Sequence, residues 1–351
     1  MDTGFIIEKF ILVAVIFGIS LVIAMYSTYA ERKVAAFLQD RLGPDRAGPF
    51  GILQPLADGV KMFMKEEIIP TSSNRFLFIA GPGLALLCAC IGTAVIPWGN
   101  PIEIGGKIIP LQVTDINVGV LYIFGVVSLG VYGVMIGGWA SNNKYSLLSA
   151  IRAASQNISY EIAMGLSIIA LLLVTNSLSL KEIVSKQHGF WENGWFTWYF
   201  FKQPLGFLIF MVCSFAETNR APFDLPECET ELIGGYHTEY SSMKLGFYLF
   251  AEYINMFVSS AVMATLYFGG FNYPFMDLAA THWGANWASI IGVIIFFGKI
   301  CAFIFFFMWV RWTIPRFRYD QLMNLGWKGL IPLAIANIII TGIVIAIIEK
   351  F

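Results

Sequence analysis

Residues 216–243 read AETNRAPFDLPECETELIGGYHTEYSSM and hold six carboxylates: Glu217, Asp224, Glu227, Glu229, Glu231 and Glu239. Carboxylates grouped where water is scarce push one another's pKa values apart, which suits a relay of proton carriers. Glu227, Glu229 and Glu231 are spaced by two, so an extended segment would point all three one way. Pro222 and Pro226 prevent a continuous helix through the stretch. Arg220 is the only cation between Lys202 and Lys244, and Glu217 or Asp224 is its expected partner. Apolar runs at Leu205–Phe215 and Leu245–Phe268 bracket the acids. Charges this close to lipid are costly and call for a functional reason.

Four ionisable groups lie inside or at the ends of apolar runs: Glu161 after SQNISY, Glu217, Glu252 and Lys299. Each costs about 2.5–3.5 kcal/mol at a bilayer centre on insertion scales, so such groups face protein or a watered path. A structural Glu252–Lys299 ion pair is one reading. A path for protons or ions is the favoured one, because the acids are several and the buried base is single.

The elements that must position these groups follow from composition. The 351 residues are 57% hydrophobic and 13% charged, with a mean hydropathy of +0.70. Soluble domains average about 25% charged residues. The sequence therefore predicts an all-α, polytopic membrane protein forming a single membrane domain. Windows of about 20 apolar residues place eight spans near 5–30, 74–97, 117–140, 158–175, 199–217, 243–268, 288–311 and 329–348. The run Phe10–Ala24 lacks the basic n-region and small-residue cleavage pattern of a removable signal peptide.

Loop charges set the expected orientation. Odd-numbered loops carry Arg32, Lys33, Arg41, Arg46, Lys61, Lys65, Arg75, Lys144, Arg152, Arg220, Lys244, Arg311, Arg316, Arg318 and Lys328. Even-numbered loops carry only Lys107, Lys181, Lys186 and Lys202. Odd loops, including 216–243, are therefore expected in the cytoplasm and both termini on the outer side. Trp191, Trp195, Trp198, Trp283 and Trp287 suit an interfacial belt on that outer side. In the first loop, Leu53, Leu56, Val60 and Phe63 recur at helical spacing opposite Gln54, Asp58, Lys61 and Lys65. That pattern predicts a short amphipathic helix over about 51–66, lying on the membrane surface or under a partner.

Metal and haem chemistry find no ligands here. Cys88 and Cys90 are spaced C-x-C in an apolar run, and Cys213, Cys228 and Cys301 are scattered. Zinc and iron–sulfur sites need grouped thiolates. His188, His237 and His282 fall in or beside loops, away from positions where axial haem ligands would sit. A net charge of -1 offers no basic surface for nucleic acid.

Four motifs carry a resemblance: AERKVAAFLQDRLGPDRAG with LQPLADGVK at 30–61, AIRAASQNISYE at 150–161, AETNRAPFDLPE at 216–227, and RWTIPRFRYDQLMNLGWK at 311–328. Together, and in this order, the sequence resembles the membrane subunit that forms the quinone site of respiratory complex I, the proton-pumping NADH:quinone oxidoreductase. In bacteria this is the H subunit, and in mitochondria ND subunit one. The resemblance implies a multi-pass subunit of a bacterial inner membrane, anchoring a peripheral arm on the cytoplasmic side. Small membrane subunits and antiporter-like pump subunits would be lateral neighbours. It implies quinone, ubiquinone or menaquinone, as substrate, with flavin and iron–sulfur clusters on partner subunits only.

By matching motifs, Glu31, Arg32, Arg41 and Asp58 would line or brace the quinone tunnel, whose mouth lies near the first span and the amphipathic helix. Arg220, Asp224, Glu227, Glu229 and Glu231 would form the acidic loop beneath the quinone cavity. Glu161, Glu217 and Glu252 would begin a carboxylate path toward the pump subunits. Lys299, Arg311, Arg316 and Arg318 would support ion pairing, the arginines with the acidic loop. None of these residues makes or breaks bonds. Cys228 stands where the family commonly has glycine, which makes the turn after Glu227 less permissive. The related membrane subunit of energy-converting hydrogenases is an alternative. A free-standing proton or cation transporter is another, and it predicts repeats with broken helices that the sequence lacks.

Overall fold

The computed structural model describes residues 3–188, 191–192, 195–227, 229–348 and 350. The chain is overwhelmingly helical. It begins with α1 (Thr3–Leu38), the surface helix α2 (Gln54–Met64) and α3 (Arg75–Ile91). A two-stranded hairpin, β1 (Ile102–Ile104) with β2 (Lys107–Ile109), precedes α4 (Gly119–Ala140) and α5 (Lys144–Thr175). Then come α6 (Leu180–Ser185), a minimal hairpin of β3 (Trp191–Glu192) and β4 (Trp195–Phe196), α7 (Tyr199–Lys202) and α8 (Pro204–Glu217). The remainder is α9 (Glu229–Leu232), α10 (Ser242–Tyr267), α11 (Met276–Trp283), α12 (Ala285–Thr313), α13 (Tyr319–Asn324) and α14 (Ile331–Ile348).

Seven of these helical runs are long and apolar enough to cross a membrane. The expectation of a polytopic membrane protein therefore holds. The fifth expected span, 199–217, is a different object. Gln203 is non-helical and Pro204 opens α8 without a donor, which separates α7 from the 14-residue α8. At 1.5 Å per residue α8 is about 21 Å long, shorter than a hydrocarbon core of about 30 Å. The fourth departs the other way. The Asn143 side chain caps α5 by accepting from Tyr145 N, and left-handed Asn176 ends it, so the helix runs 32 residues. Glu161 thus sits in its middle.

The core centres on α10, two-thirds of whose apolar window is buried, against 6% for α1. In lipid the hydrophobic effect does not drive helices together, so close approach and interhelical hydrogen bonds must. Both are present. A Cβ at Gly133 of α4 would meet Ala85 of α3 at 2.7 Å, and one at Gly137 would run into the Tyr248 hydroxyl. Tyr248 Oη donates to Gly133 O at 3.0 Å, while Tyr240 Oη lies 3.2 Å from both Phe78 O and Gly137 O. This packing fixes the face of α10 that carries Glu252 against α3 and α4.

Past α10, Gly269 and Gly270 turn the chain at φ 71° and 55° and leave carbonyls facing inward. Lys299 of α12 donates to Phe268 O, Gly270 O and Asn272 O at 2.7, 2.7 and 2.8 Å. The alternative Glu252–Lys299 pair is not formed, because the ammonium is spent on orphan carbonyls at the far end of α10. Its expected role as ion-pair support is corrected accordingly. Trp198 packs edge-on against Phe268 with Lys299 Nζ 5.0 Å from its ring centre. It is a wall of this knot, whereas Trp283 and Trp287 stand exposed. The side chains of Trp191 and Trp195, and all of Cys228, lie outside the described residues.

Candidate functional site

The acidic stretch is pinned to α5. Gln156, fully buried, donates at 2.8 Å to both Ala216 O and Phe223 O, one on each side of the Asn219–Pro222 turn. Ser149 donates to Pro226 O farther along. Asn219 adopts φ 50°, and the chain doubles back directly after α8 through a cis Ala221–Pro222 peptide. Arg220 is thereby driven inward, 5% exposed.

The partner of Arg220 is neither Glu217 nor Asp224. Its Nη1 lies 3.1 Å from Glu31 Oε2, on α1. Arg311 Nη1 holds the other oxygen, Oε1, at 2.5 Å, and Tyr253 Oη donates to Oε2 at 2.8 Å. The Arg220 guanidinium also packs against the Tyr253 ring, 4.1 Å from its centre. Glu31 thus joins α1, α10, α12 and the loop. A carboxylate buried among lipid-facing helices requires this much compensation. Arg220 Nε and Nη2 remain buried without an acceptor among the described residues.

The basic end of α12 divides. Arg316 Nη2 binds Asp224 Oδ2 at 2.6 Å, as the expected pairing with the acidic loop requires. Arg311 serves Glu31 instead. Arg318 pairs locally with Asp320 in an exposed turn, so its expected contact with the loop is not formed. Water competes fully for such a short-range surface pair, whereas Arg316 meets an Asp224 that is almost buried.

Glu227 and Glu252 face each other. The Glu227 and Glu252 carboxyls are buried side by side, and Tyr236 Oη donates to Glu252 Oε1 at 2.9 Å. His237 Nδ1 is 3.9 Å from Glu227 Oε1. Burial pushes the Glu227 carboxyl up, but the adjacent Glu252 carboxyl and the Coulombic influence of His237, Arg220 and Arg311 outweigh it. Together they hold Glu227 below the usual carboxylate range. Burial and the carboxylates of Glu252 and Glu227 push the Tyr236 phenol well up, so it stays a donor.

From Glu252 a cavity of about 440 Å³ leads past Asn219, Asn157 and Asn255 to Glu217. Glu217 also lines a second, smaller cavity of about 260 Å³ on its other side. Glu161 accepts from Ser128 Oγ on α4. Glu252, Glu217 and Glu161 are therefore distributed over α10, α8 and α5, the first two joined by one polar cavity. Glu231 is outside this series, pairing with Arg152 Nη1 at 2.7 Å near the surface, and Glu239 accepts from Asn143. The side chain of Glu229 lies outside the described residues.

On the opposite flank of Tyr253 opens a cavity of about 980 Å³ between α1, α2 and α10. Its walls are apolar, with Met25, Leu56, Phe63, Met243 and Phe250 among them. Arg32 and Asp58 line it as a 2.7 Å ion pair, with Gln54 Nε2 donating to Asp58 Oδ1 at 3.1 Å. Leu56, Val60 and Phe63 of the amphipathic helix face this space. Arg41 does not join it, bonding instead to Gln39 at the exposed end of α1.

Charge scanning missed Tyr253, Tyr236 and Gln156. Each is uncharged inside an apolar or aromatic run and reads as filler there. A polar amide such as Gln156 at the centre of a buried helix was the one available signal, because it must find partners.

The chain matches the family model described as NADH dehydrogenase over residues 10–342. It is 70% identical over 338 residues to the H 1 subunit of NADH-quinone oxidoreductase from Cytophaga hutchinsonii, covering 96% of each chain. It is 63% identical over 345 residues to the H subunit from Flavobacterium johnsoniae, covering 98% of this chain and 97% of that one. It is 49% identical over 358 residues to the H 2 subunit from Geobacter metallireducens, covering 99% and 98%. With the motifs, the spans and the acid series on one scaffold, the chain belongs to the NADH dehydrogenase family typified by the H subunit of NADH-quinone oxidoreductase.

Proposed function

We propose that this chain is the quinone-site subunit of a proton-translocating NADH:quinone oxidoreductase. The cavity between α1, α2 and α10 is the quinone tunnel, and Tyr253 is the wall between it and the charged cluster. The observation that carries this reading is the contiguity of three things: an apolar cavity of about 980 Å³, the Glu31–Arg220–Arg311 cluster bound to Tyr253, and the Glu227–Glu252 pair within the field of those arginines. The unmet Arg220 donors supply hydrogen-bonding capacity on the far side of that wall.

A change of charge or hydration at the headgroup alters the field at Arg220. That shifts the protonation of Glu227 and Glu252, and with it the water and protons between Glu252, Glu217 and Glu161. The coupling is a population shift and not bond-making by this chain. Electrons come from iron–sulfur and flavin groups on partner subunits. Arg32, Arg41, Asp58, Asp224, Glu229 and Glu231 brace the cytoplasmic face where a peripheral arm docks, and antiporter-like subunits receive the acid path laterally. In this reading α8 completes an eight-span arrangement in a bacterial inner membrane. Residues 216–243 then face the cytoplasm and both termini the outside, in keeping with the loop charges.

A photoreactive quinone applied to the native complex tests the cavity. Label on peptides holding Met25–Thr28, Phe63 and Phe250 is expected, and label confined to other subunits would overturn the assignment. Proton pumping at wild-type levels in Glu161→Gln, Glu217→Gln and Glu252→Gln would sink the carboxylate path separately.

A further inference from the structure

At the end of α10 opposite the acidic loop, an apolar groove and a pocket of mixed lining lie side by side. The groove, about 510 Å³, runs between α1, α10 and α12, with Val15, Ile19, Phe257, Val293 and Phe297 in its wall. The only hydroxyl there among the described residues, that of Ser20, is spent on Ile16 O at 2.8 Å. A polar headgroup would find nothing to bind in it. Leu111 is common to the groove and to the neighbouring pocket of about 570 Å³, whose wall carries Asn100, Lys181, Ser185 and His188. Lys181 is half exposed and lies 4.0 Å from Asp115.

Depth links the two. Val293 and Phe297 lie about 12 and 18 Å into α12 at 1.5 Å per residue, and Phe257 about 15 Å from the end of α10. That is about half of a 30 Å hydrocarbon core. The groove therefore covers one leaflet, and the pocket sits at its headgroup level. Trp98 lines the groove and adjoins Pro97 and Gly99 of the pocket. Its indole N–H is buried with no acceptor among the described residues, which is uncommon for a buried tryptophan.

We propose that groove and pocket form one site for a phospholipid with an anionic headgroup. An acyl chain fills the space between α1, α10 and α12. The phosphate region meets Lys181. A molecule apolar over half a bilayer and anionic at its surface fits both halves at once, which neither a free anion nor a bare hydrocarbon does.

The native complex in phosphatidylcholine nanodiscs, doped with phosphatidylglycerol carrying a photoreactive acyl terminus, tests this by mass spectrometry of cross-linked peptides. Cross-links at Leu12–Ser20 and Val293–Phe297 are expected well above those on the exposed face of α14, around Ile339 and Ile343. Lys181→Gln should weaken them about fivefold, the equivalent of about 1 kcal/mol for one cation at an anionic surface. The same variant should leave labelling by photoreactive phosphatidylcholine unchanged. Val293→Trp, which fills the groove, should remove both. Labelling no higher than on α14, no loss in Lys181→Gln, or a neighbouring subunit's helix recovered from the groove would each overturn the proposal. If Val293→Trp fails to assemble, Ile19→Trp closes the same groove from its half-exposed lipid side, and Lys181→Gln alone still decides the headgroup.

Discussion

Replacing Glu31 by glutamine tests the charged cluster most directly. The substitution keeps size and removes one negative charge from between two guanidinium groups at 3.1 and 2.5 Å. Arg220 is buried, and removing one partner of a buried pair costs about 3–5 kcal/mol because the other charge is stranded. Arg311 is about a third exposed, so its share is discounted to at most about 1 kcal/mol. The loss should fall mainly on Arg220, and a double-mutant cycle reads it. The assay is the rate at which quinone reductase activity of the membrane-bound complex decays at a fixed raised temperature. With roughly a third of the cost expressed in the unfolding barrier, Glu31→Gln and Arg220→Met should each inactivate about tenfold faster than wild type. The double variant should be no worse than the worse single, since it no longer buries an unpaired charge. Strictly additive losses, or an unchanged rate in Glu31→Gln, would refute the cluster as described.

Other parts of the site give further expectations. Gln156→Leu strips two carbonyls of their donor, at about 1–3 kcal/mol, and should make the 219–227 turn markedly more sensitive to limited proteolysis. Lys299→Met should lower the amount of assembled complex while the remaining complexes keep the wild-type ratio of protons pumped to NADH oxidised; a lowered ratio would return Lys299 to the proton path. Tyr236→Phe removes the donor to Glu252 Oε1 and should slow pumping more than NADH oxidation by a soluble artificial acceptor. Because the folded pKa of Glu227 is depressed, its stabilisation is fully present above the ordinary carboxylate value of about 4.3 and is lost as pH falls through the folded value. Hydrogen exchange of residues 225–240 should therefore accelerate on acidification below about pH 4, and Glu227→Gln should flatten that limb.

The membrane architecture was legible because twenty-residue hydropathy is a strong signal, and the acids were legible because charge in lipid is rare. Pairing was not. Arg220 stands close to Asp224 in sequence, yet the doubled-back turn after α8 sends it to Glu31 on the first helix, a separation no local rule anticipates. Lys299 looked like a counter-ion because hydropathy scans see charges but not orphan carbonyls, which appear only once Gly269 and Gly270 turn the backbone. The brevity of α8 depended on one Gln–Pro step inside an otherwise convincing apolar window.

The Glu31 cluster also constrains how the chain is made. Its acid belongs to the first helix, whereas Arg220 comes 189 residues later and Tyr253 222 residues later. At about 5–20 residues per second of synthesis, α1 waits on the order of ten seconds or more with Glu31 uncompensated. Arg311 follows only near the end of translation. α1 cannot take its final seat until α10 and α12 are inserted, so an interrupted chain keeps a bare carboxylate at the rim of its first helix.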